Sequence, residues 1–369
     1  MTGFAALALL VLVAAALCSA LLVPLSRRLA QQVGAIDDPG ERKIHRVATP
    51  RMGGIAVYCA FTGLVLVGYY LVPSLAARGD LPFAEALRPF TQAHRVEKKL
   101  LALVVGATAA FIVGALDDIM GRRFPVWIKA AGQLLAALFL VFGDVRTSFL
   151  PYEALNVVAT ILWVVGMTNA FNLLDNMDGL SAGVAFVASG VLLVNAWNLG
   201  EPFIGLILAA FMGSLLGFLV FNSNPASVFL GDCGSLFIGY VMAALTLLER
   251  YVSPASSTLF PVLMPVLVLA IPLIDTTTVV VIRLREHRPI YVGDARHLSH
   301  RLVSLGFSQR AAVLFIHLAT LCFGLGAVGL SHATPARSIL IMIQSVGFMA
   351  LILVLLFFDR RQKPRETTQ

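Results

Sequence analysis

Apolar residues run along this chain in long blocks, not in alternation with polar ones. Blocks at about 4–25, 53–73, 99–116, 128–142, 154–171, 180–198, 202–221, 234–248, 258–282, 311–330 and 338–358 each approach the ~20 residues with which a helix crosses a hydrocarbon layer. Eleven spans are expected, the fourth rather short. Only helices satisfy their backbone hydrogen bonds segment by segment in lipid, and the period-two pattern of barrel strands is missing. The pattern therefore predicts an all-α, polytopic membrane bundle. Residues 1–369 read as a single integral membrane domain, with 359–369 as a basic cytoplasmic tail. Pro261, Pro265 and Pro272 in the ninth block predict a kinked or broken helix there.

Composition removes the soluble alternative, since 59% hydrophobic and 13% charged residues leave more apolar surface than one soluble core can hide. The first block follows Met1 to Phe4 with no basic stretch before it, so it is expected to be a retained helix and not a cleaved leader. Cys18, Cys59, Cys233 and Cys322 lie in or beside apolar blocks without CxxC spacing, which points away from a disulfide framework and from a thiolate metal site. The net charge of +7 suits anionic lipid or anionic substrates, and nothing suggests nucleic acid as a partner. Lys and Arg divide 19 to eight between alternate loops, which puts the odd-numbered loops and the tail in the cytoplasm and the N-terminus outside. The loop around Arg95, Lys98 and Lys99 runs against that bias.

Every unusual polar cluster falls in an odd loop. The fifth, Asn169 to Gly183, holds Asn169, Asn172, Asp175, Asn176 and Asp178 between two apolar blocks, where polar side chains are costly and mark function. Asn169, Asn172 and Asn176 share one helical face, with Asp175 and Asp178 at the same end. Oxygen ligands of this kind suit Mg²⁺, with Mn²⁺ as a substitute, held by one or two carboxylates plus substrate phosphates; a capped helix end is the plainer account. Asp117 and Asp118 end the third block, where adjacent carboxylates repel unless a cation or proton neutralises one; a solvated terminus balanced by Arg122 and Arg123 stays open. In loop 7, Gly231 and Gly234 flank Asp232 and would let backbone approach a phosphate or sugar, with Ser235 free to cap the next helix. A tight turn explains those glycines equally well. In loop 9, His297 and His300 beside Arg296 and Arg301 form a cationic patch suited to phosphate oxygens, with a plain basic cytoplasmic loop as the blander account. Lys43, His45, Arg46 and Arg51 stand in loop 1, where the positive-inside bias alone would supply some of them. Lys129 must snorkel or meet an anion, and Asp275 either faces a hydrated kink or caps the broken helix. Acids and bases mixed on one face fit an anionic substrate bridged to aspartates by a divalent cation, as in phosphoryl transfer.

The set PRMGG (50–54), LDD (116–118), NAFNLLDNMDGLSAG (169–183), FLGDCGS (229–235) and RHLSHRL (296–302), in this order, resembles the polyprenyl-phosphate N-acetylhexosamine-1-phosphate transferases over about residues 30–305. The resemblance implies transfer of a sugar 1-phosphate from a UDP-N-acetylhexosamine to undecaprenyl phosphate, giving a lipid pyrophosphoryl sugar and UMP, with Mg²⁺. It implies a multi-pass protein of the bacterial inner membrane with its active site facing the cytoplasm, and leaves room for a homodimer. Loops 1 and 9 are closer to the N-acetylglucosamine-1-phosphate branch, the first membrane step of a cell-envelope polysaccharide such as lipopolysaccharide, than to the phospho-N-acetylmuramoyl-pentapeptide branch. Ser299 and Asn176 depart from the usual pattern. By resemblance, Asp175 is the principal metal ligand, with Asp178 and Asp232 in the metal and pyrophosphate site. Asp117 deprotonates or orients the acceptor phosphate, with Asp118 as its partner. His297, His300 and Arg301 contact the sugar and its phosphate, Lys43, Arg51 and Lys129 balance phosphate charge, and Asn169 and Asn172 line the nucleotide pocket. A cation-coupled secondary transporter is the alternative of another class, and it predicts polar groups within the spans and inverted repeats. Cysteine-accessibility labelling should find residue 294 inside and residue 200 outside; the reverse pattern would overturn the topology.

Overall fold

The computed structural model describes residues 2–37, 48–76, 96–252, 256, 258–289 and 296–358. The chain forms two compact units, residues 1–250 and 251–369. In the first unit, α1 (Thr2–Val33) leads through β1 (Ile36–Asp37) and β2 (Thr49–Pro50), an antiparallel pair, into α2 (Gly54–Ala76). There follow α3 (Glu97–Met120), α4 (Val126–Phe142), α5 (Glu153–Leu174), α6 (Leu180–Asn198), α7 (Pro202–Asn222) and α8 (Gly231–Leu248). The second unit holds α9 (Met264–Val268), α10 (Ala270–Arg285), the short α11 (Leu298–Ser304), α12 (Gln309–Gly329) and α13 (Pro335–Phe358). The basic tail 359–369 lies outside the described residues.

Among the described residues, nine helices are long and apolar enough to cross a membrane, and a tenth span arises if the bent pair α9 and α10 counts as one. The block at 128–142 forms a 17-residue helix, α4, shorter than the rest. The break that the prolines predict falls at Leu269, where α9 and α10 meet at 68°. Two expectations shift at the ends of elements. The helix of the first block continues beyond its apolar part to Val33, and α5 runs through Asn169 and Asn172 to stop at Leu174, so Asn176 lies past its end.

The first unit is built around α8, which is buried on nearly all sides and packs on α2, α3, α5 and α6. Its core couples Phe237 to Tyr58, Phe61 and Phe211 through edge-on ring contacts, an arrangement that favours aromatic pairs beyond simple burial. Two polar groups at this depth are matched: the Tyr240 hydroxyl donates to the Ala102 carbonyl at 3.0 Å, and Trp163 Nε1 donates to Thr246 at 3.0 Å. Lys98, one of the cations that ran against the charge bias, is ion-paired with Asp144.

The close approach of α3 to α8 depends on Gly114, where a Cβ would lie 2.2 Å from the Asp232 carbonyl oxygen. Gly114→Ala should therefore lower the unfolding temperature in detergent, at the roughly 1–3 kcal/mol that overpacking costs. Gly63→Ala, at a position with nothing within 4 Å, should not. Equal melting of the two variants would contradict this account of the α3–α8 contact.

Candidate active site

The N-terminus of α8 is capped from another helix. Its N-cap residue, Leu230, offers no side-chain hydrogen bond, which would ordinarily leave the first amide groups without acceptors. Asp118, at the end of α3, fills that gap: Oδ1 accepts the Asp232 N–H and Oδ2 the Cys233 N–H, both at 2.9 Å. A guanidinium nitrogen of Arg51 stands 3.4 Å from Oδ1, and the Asp118 side chain is fully buried. This supplies in trans what a local cap would provide, and it sets a carboxylate against the positive end of the helix. The glycines around Asp232 serve the same contact. Gly231 has φ 74° and a Cβ there would sit 2.6 Å from Asp118 Oδ2, while Gly54 lies against the backbone of Gly234. Their smallness thus makes room for protein backbone and the Asp118 carboxylate.

With its backbone fixed, Asp232 becomes the meeting point of three elements. Lys129 of α4 donates to Asp232 Oδ2 at 2.9 Å, to Asp117 Oδ2 at 2.8 Å and to Asn172 Oδ1 at 3.1 Å. Asn172 in turn donates to Asp232 Oδ1 and to the Ser235 hydroxyl, each at 2.8 Å. Ser235 therefore takes a place in this network and does not cap α8. Asn169, one turn earlier on α5, exchanges amide hydrogen bonds with Gln133 at 2.8 and 3.2 Å; it ties α5 to α4. Asp178 reaches the loop before α8, accepting from Asn224 Nδ2 and the Ala226 N–H at 3.0 Å each. Asn222 supports that loop by accepting from the Gly179 N–H and donating to the Val228 carbonyl. Arg51 is brought in by the PRMGG stretch, whose Gly53 and Gly54 amides donate to Phe229 and Leu230.

The electrostatics are those of an acid-rich cluster. Arg51 is half-buried, and its charge is favoured, against the cost of burial, by Asp118, Asp232, Asp37 and Asp175 together. Asp175, just past the end of α5, has its carboxyl pushed well above the usual carboxylate range by burial and by the charges of Asp232, Asp118 and Asp178, against Arg51. Asp117, Asp118, Asp178 and Asp232 each have hydrogen-bond or ion-pair partners. Among the described residues, Asp175 alone of these five acids has no hydrogen bond or ion pair at its carboxylate. Six carboxylates, Asp37 among them, thus cluster with two cations, Arg51 and Lys129, among the described residues. No three Asp, Glu, His or Cys side chains among the described residues stand as a ready ligand shell. That donor chemistry fits Mg²⁺, which takes one or two carboxylates and completes its octahedron with water and substrate phosphate.

The remaining expected residues lie elsewhere. His297, His300 and Arg301 belong to the second unit. There His297 precedes α11 and its Nδ1 lies in hydrogen-bond contact with Asp275 Oδ2 at 2.7 Å, while the Arg301 Nε–H donates to the Arg296 carbonyl at 2.9 Å. Lys43 is outside the described residues. Gln133, Asn222 and Asn224 were not singled out from the sequence. An amide inside an apolar block, as Gln133 is, was the available signal.

The family model described as glycosyl transferase family 4 matches residues 100–249, which carry all of this network but Arg51. A probable undecaprenyl-phosphate N-acetylglucosaminyl 1-phosphate transferase of Bacillus subtilis is 32% identical over 342 residues, covering 90% of this chain and 87% of that protein. The decaprenyl-phosphate N-acetylglucosaminephosphotransferase of Mycolicibacterium smegmatis is 29% identical, with 92% and 85% covered. The undecaprenyl-phosphate alpha-N-acetylglucosaminyl 1-phosphate transferase of Escherichia coli K12 is 28% identical, with 88% and 84% covered. Similarity of that extent, with the acidic network inside the matched region, makes this chain a member of glycosyl transferase family 4.

Proposed function

We propose that the protein transfers N-acetylglucosamine 1-phosphate from UDP-N-acetylglucosamine to a polyprenyl phosphate, undecaprenyl phosphate in the first instance, at the cytoplasmic face of a bacterial inner membrane. The observation that carries the reading is the uncommitted Asp175 carboxylate beside the Lys129–Asp117–Asp232 network. The relatives' names give the acceptor class and N-acetylglucosamine 1-phosphate, which favours this reading over phospho-N-acetylmuramoyl-pentapeptide transfer. An acceptor phosphate oxygen forms a bond to the sugar-bearing phosphorus of the donor. The bond from that phosphorus to the bridging oxygen breaks, and UMP leaves. Bound Mg²⁺ supplies charge neutralisation of the pyrophosphate and screens the incoming phosphate.

The chain's own residues supply the rest. Asp175, with Asp232 beside it, is the holder of the cation. Asp118 acts through α8 by fixing where Asp232 stands. Lys129 screens Asp117 from Asp232 and keeps both aspartates oriented, and Arg51 offers positive charge to phosphate oxygens. Asp117, at the end of α3, orients or deprotonates the acceptor phosphate. Asp178 shapes the loop on which α8 begins. Together, His297, His300 and Arg301 contact the sugar of the donor and its phosphate. The downstream polymer is a cell-envelope polysaccharide.

Membranes containing the protein, supplied with labelled UDP-N-acetylglucosamine, undecaprenyl phosphate and Mg²⁺, should form a labelled lipid and release UMP. Absence of turnover with every UDP-N-acetylhexosamine tried would remove the transferase reading. Asp175→Asn should abolish transfer or sharply raise the Mg²⁺ requirement; near-normal kinetics would unseat Asp175 as a ligand. Lys129→Met leaves two partly buried carboxylates without their shared cation, so a stability loss on the order of 3 kcal/mol is expected in thermal unfolding. A melting point equal to wild type would show that Lys129 is not what holds this network together.

A further inference from the structure

Asp275 belongs to the second unit, on the α10 helix that follows the break at Leu269. It is 1% exposed, and a carboxylate buried that deeply costs free energy unless its oxygens are matched. Both are. Oδ2 lies 2.7 Å from His297 Nδ1, and Oδ1 accepts the Leu298 N–H at 2.6 Å. His297 is itself only 3% exposed and serves as the N-cap residue of α11 without contributing a side-chain cap. One carboxylate therefore fixes two things at once: the first turn of α11 and the imidazole that precedes it.

The hydrogen-bond inventory decides the tautomer. An ionised carboxylate only accepts, so the Nδ1 that meets it carries the proton. Nε2 is then the ring atom left for a ligand, and among the described residues it has no hydrogen-bond partner. Fixing one ring nitrogen by a carboxylate is a general way of choosing which nitrogen a histidine presents. We infer that Asp275 is a positioning residue of the transfer reaction, holding His297 in the Nδ1–H tautomer so that Nε2 faces the UDP-sugar. The inference rests on the proposed role of His297 at the donor. It gives Asp275 a task beyond capping a broken helix. In the neutral ring Nε2 accepts, which suits a hydroxyl or acetamido N–H of the sugar better than a phosphate oxygen. Phosphate contact then falls to Arg301.

Asp275→Asn separates positioning from folding. Its Oδ1 can still accept the Leu298 N–H, whereas its Nδ2 donates toward His297 Nδ1 and turns the ring into the Nε2–H tautomer. Measured with UDP-N-acetylglucosamine and undecaprenyl phosphate, Asp275→Asn should lower kcat/KM by roughly 10- to 100-fold, the range seen when a histidine's orienting partner is lost. His297→Gln should cost at least as much, and the double variant no more than His297→Gln alone, because residues acting as one unit are non-additive. Selective ¹⁵N labelling of histidine should show the Nδ1–H tautomer for His297 in wild type and the Nε2–H tautomer in Asp275→Asn, with Asp275→Glu restoring part of the activity. Multiplying losses in the double variant, a fully active Asp275→Asn, or an unchanged tautomer would overturn the inference and leave the transferase reading standing. A fully active His297→Gln would overturn both the inference and the donor role of His297. Wild-type protein without turnover would remove the reaction and this inference with it.

Discussion

The Asp118 carboxylate, accepting two amide hydrogens from the first turn of α8, is the contact on which the arrangement of the first unit depends. A fully buried carboxylate in an apolar bundle is tolerable because three donors meet it, two of them at the positive end of a helix. The consequence is positional. With α8 pinned to the end of α3, the side chain of Asp232 is delivered to Lys129 and Asn172, and the PRMGG stretch is drawn against Phe229 and Leu230. Gly54, Gly114 and Gly231 are the residues without side chains that let backbone come this close.

From that constraint follows a division of labour among acids that look alike in the sequence. Asp118 is wholly engaged in structure, and Asp178 is largely so, through Asn224 and the Ala226 amide. Asp117 and Asp232 share the Lys129 ammonium, which with Asn172 on its third hydrogen is fully committed. Asp175 keeps its carboxylate unspent. A cluster with more negative than positive charge and one free carboxylate is suited to a divalent cation that arrives with an anionic substrate. The same logic recurs in the second unit, where Asp275 caps α11 and orients His297.

Much of this could be read from the sequence. The helical membrane class, the broken ninth block and the polar stretches that supply Arg51, Asp117, Asp118, Lys129, Asn172, Asp175 and Asp232 follow from hydropathy blocks and from the cost of polar groups among them. What stayed hidden has a physical reason in each case. Spacing cannot say whether a glycine makes room for a ligand or for a tight turn, and neither reading of Gly231 and Gly234 reveals that they also meet Asp118 and Gly54. Propensity at a helix start suggests a local cap, so Ser235 was expected to cap α8, whereas the cap comes from Asp118, 114 residues away in the chain. Asn169 shares a face with Asn172, yet Gln133 claims it, and a lone glutamine in an apolar block announces no partner. Asp275 reads as facing a hydrated kink or capping the broken helix because its partner lies 22 residues on, past a turn that periodicity does not trace.

Asp175 is the proposed anchor of a divalent cation in this acidic network. Anomalous scattering from crystals grown with Mn²⁺ and UDP-N-acetylglucosamine tests it directly. One Mn²⁺ peak is expected within direct-ligand distance of an Asp175 carboxylate oxygen, with the two backbone hydrogen bonds of Asp118 intact. A peak held by other residues with Asp175 uninvolved, or one that takes Asp118 away from the N-terminus of α8, would contradict it.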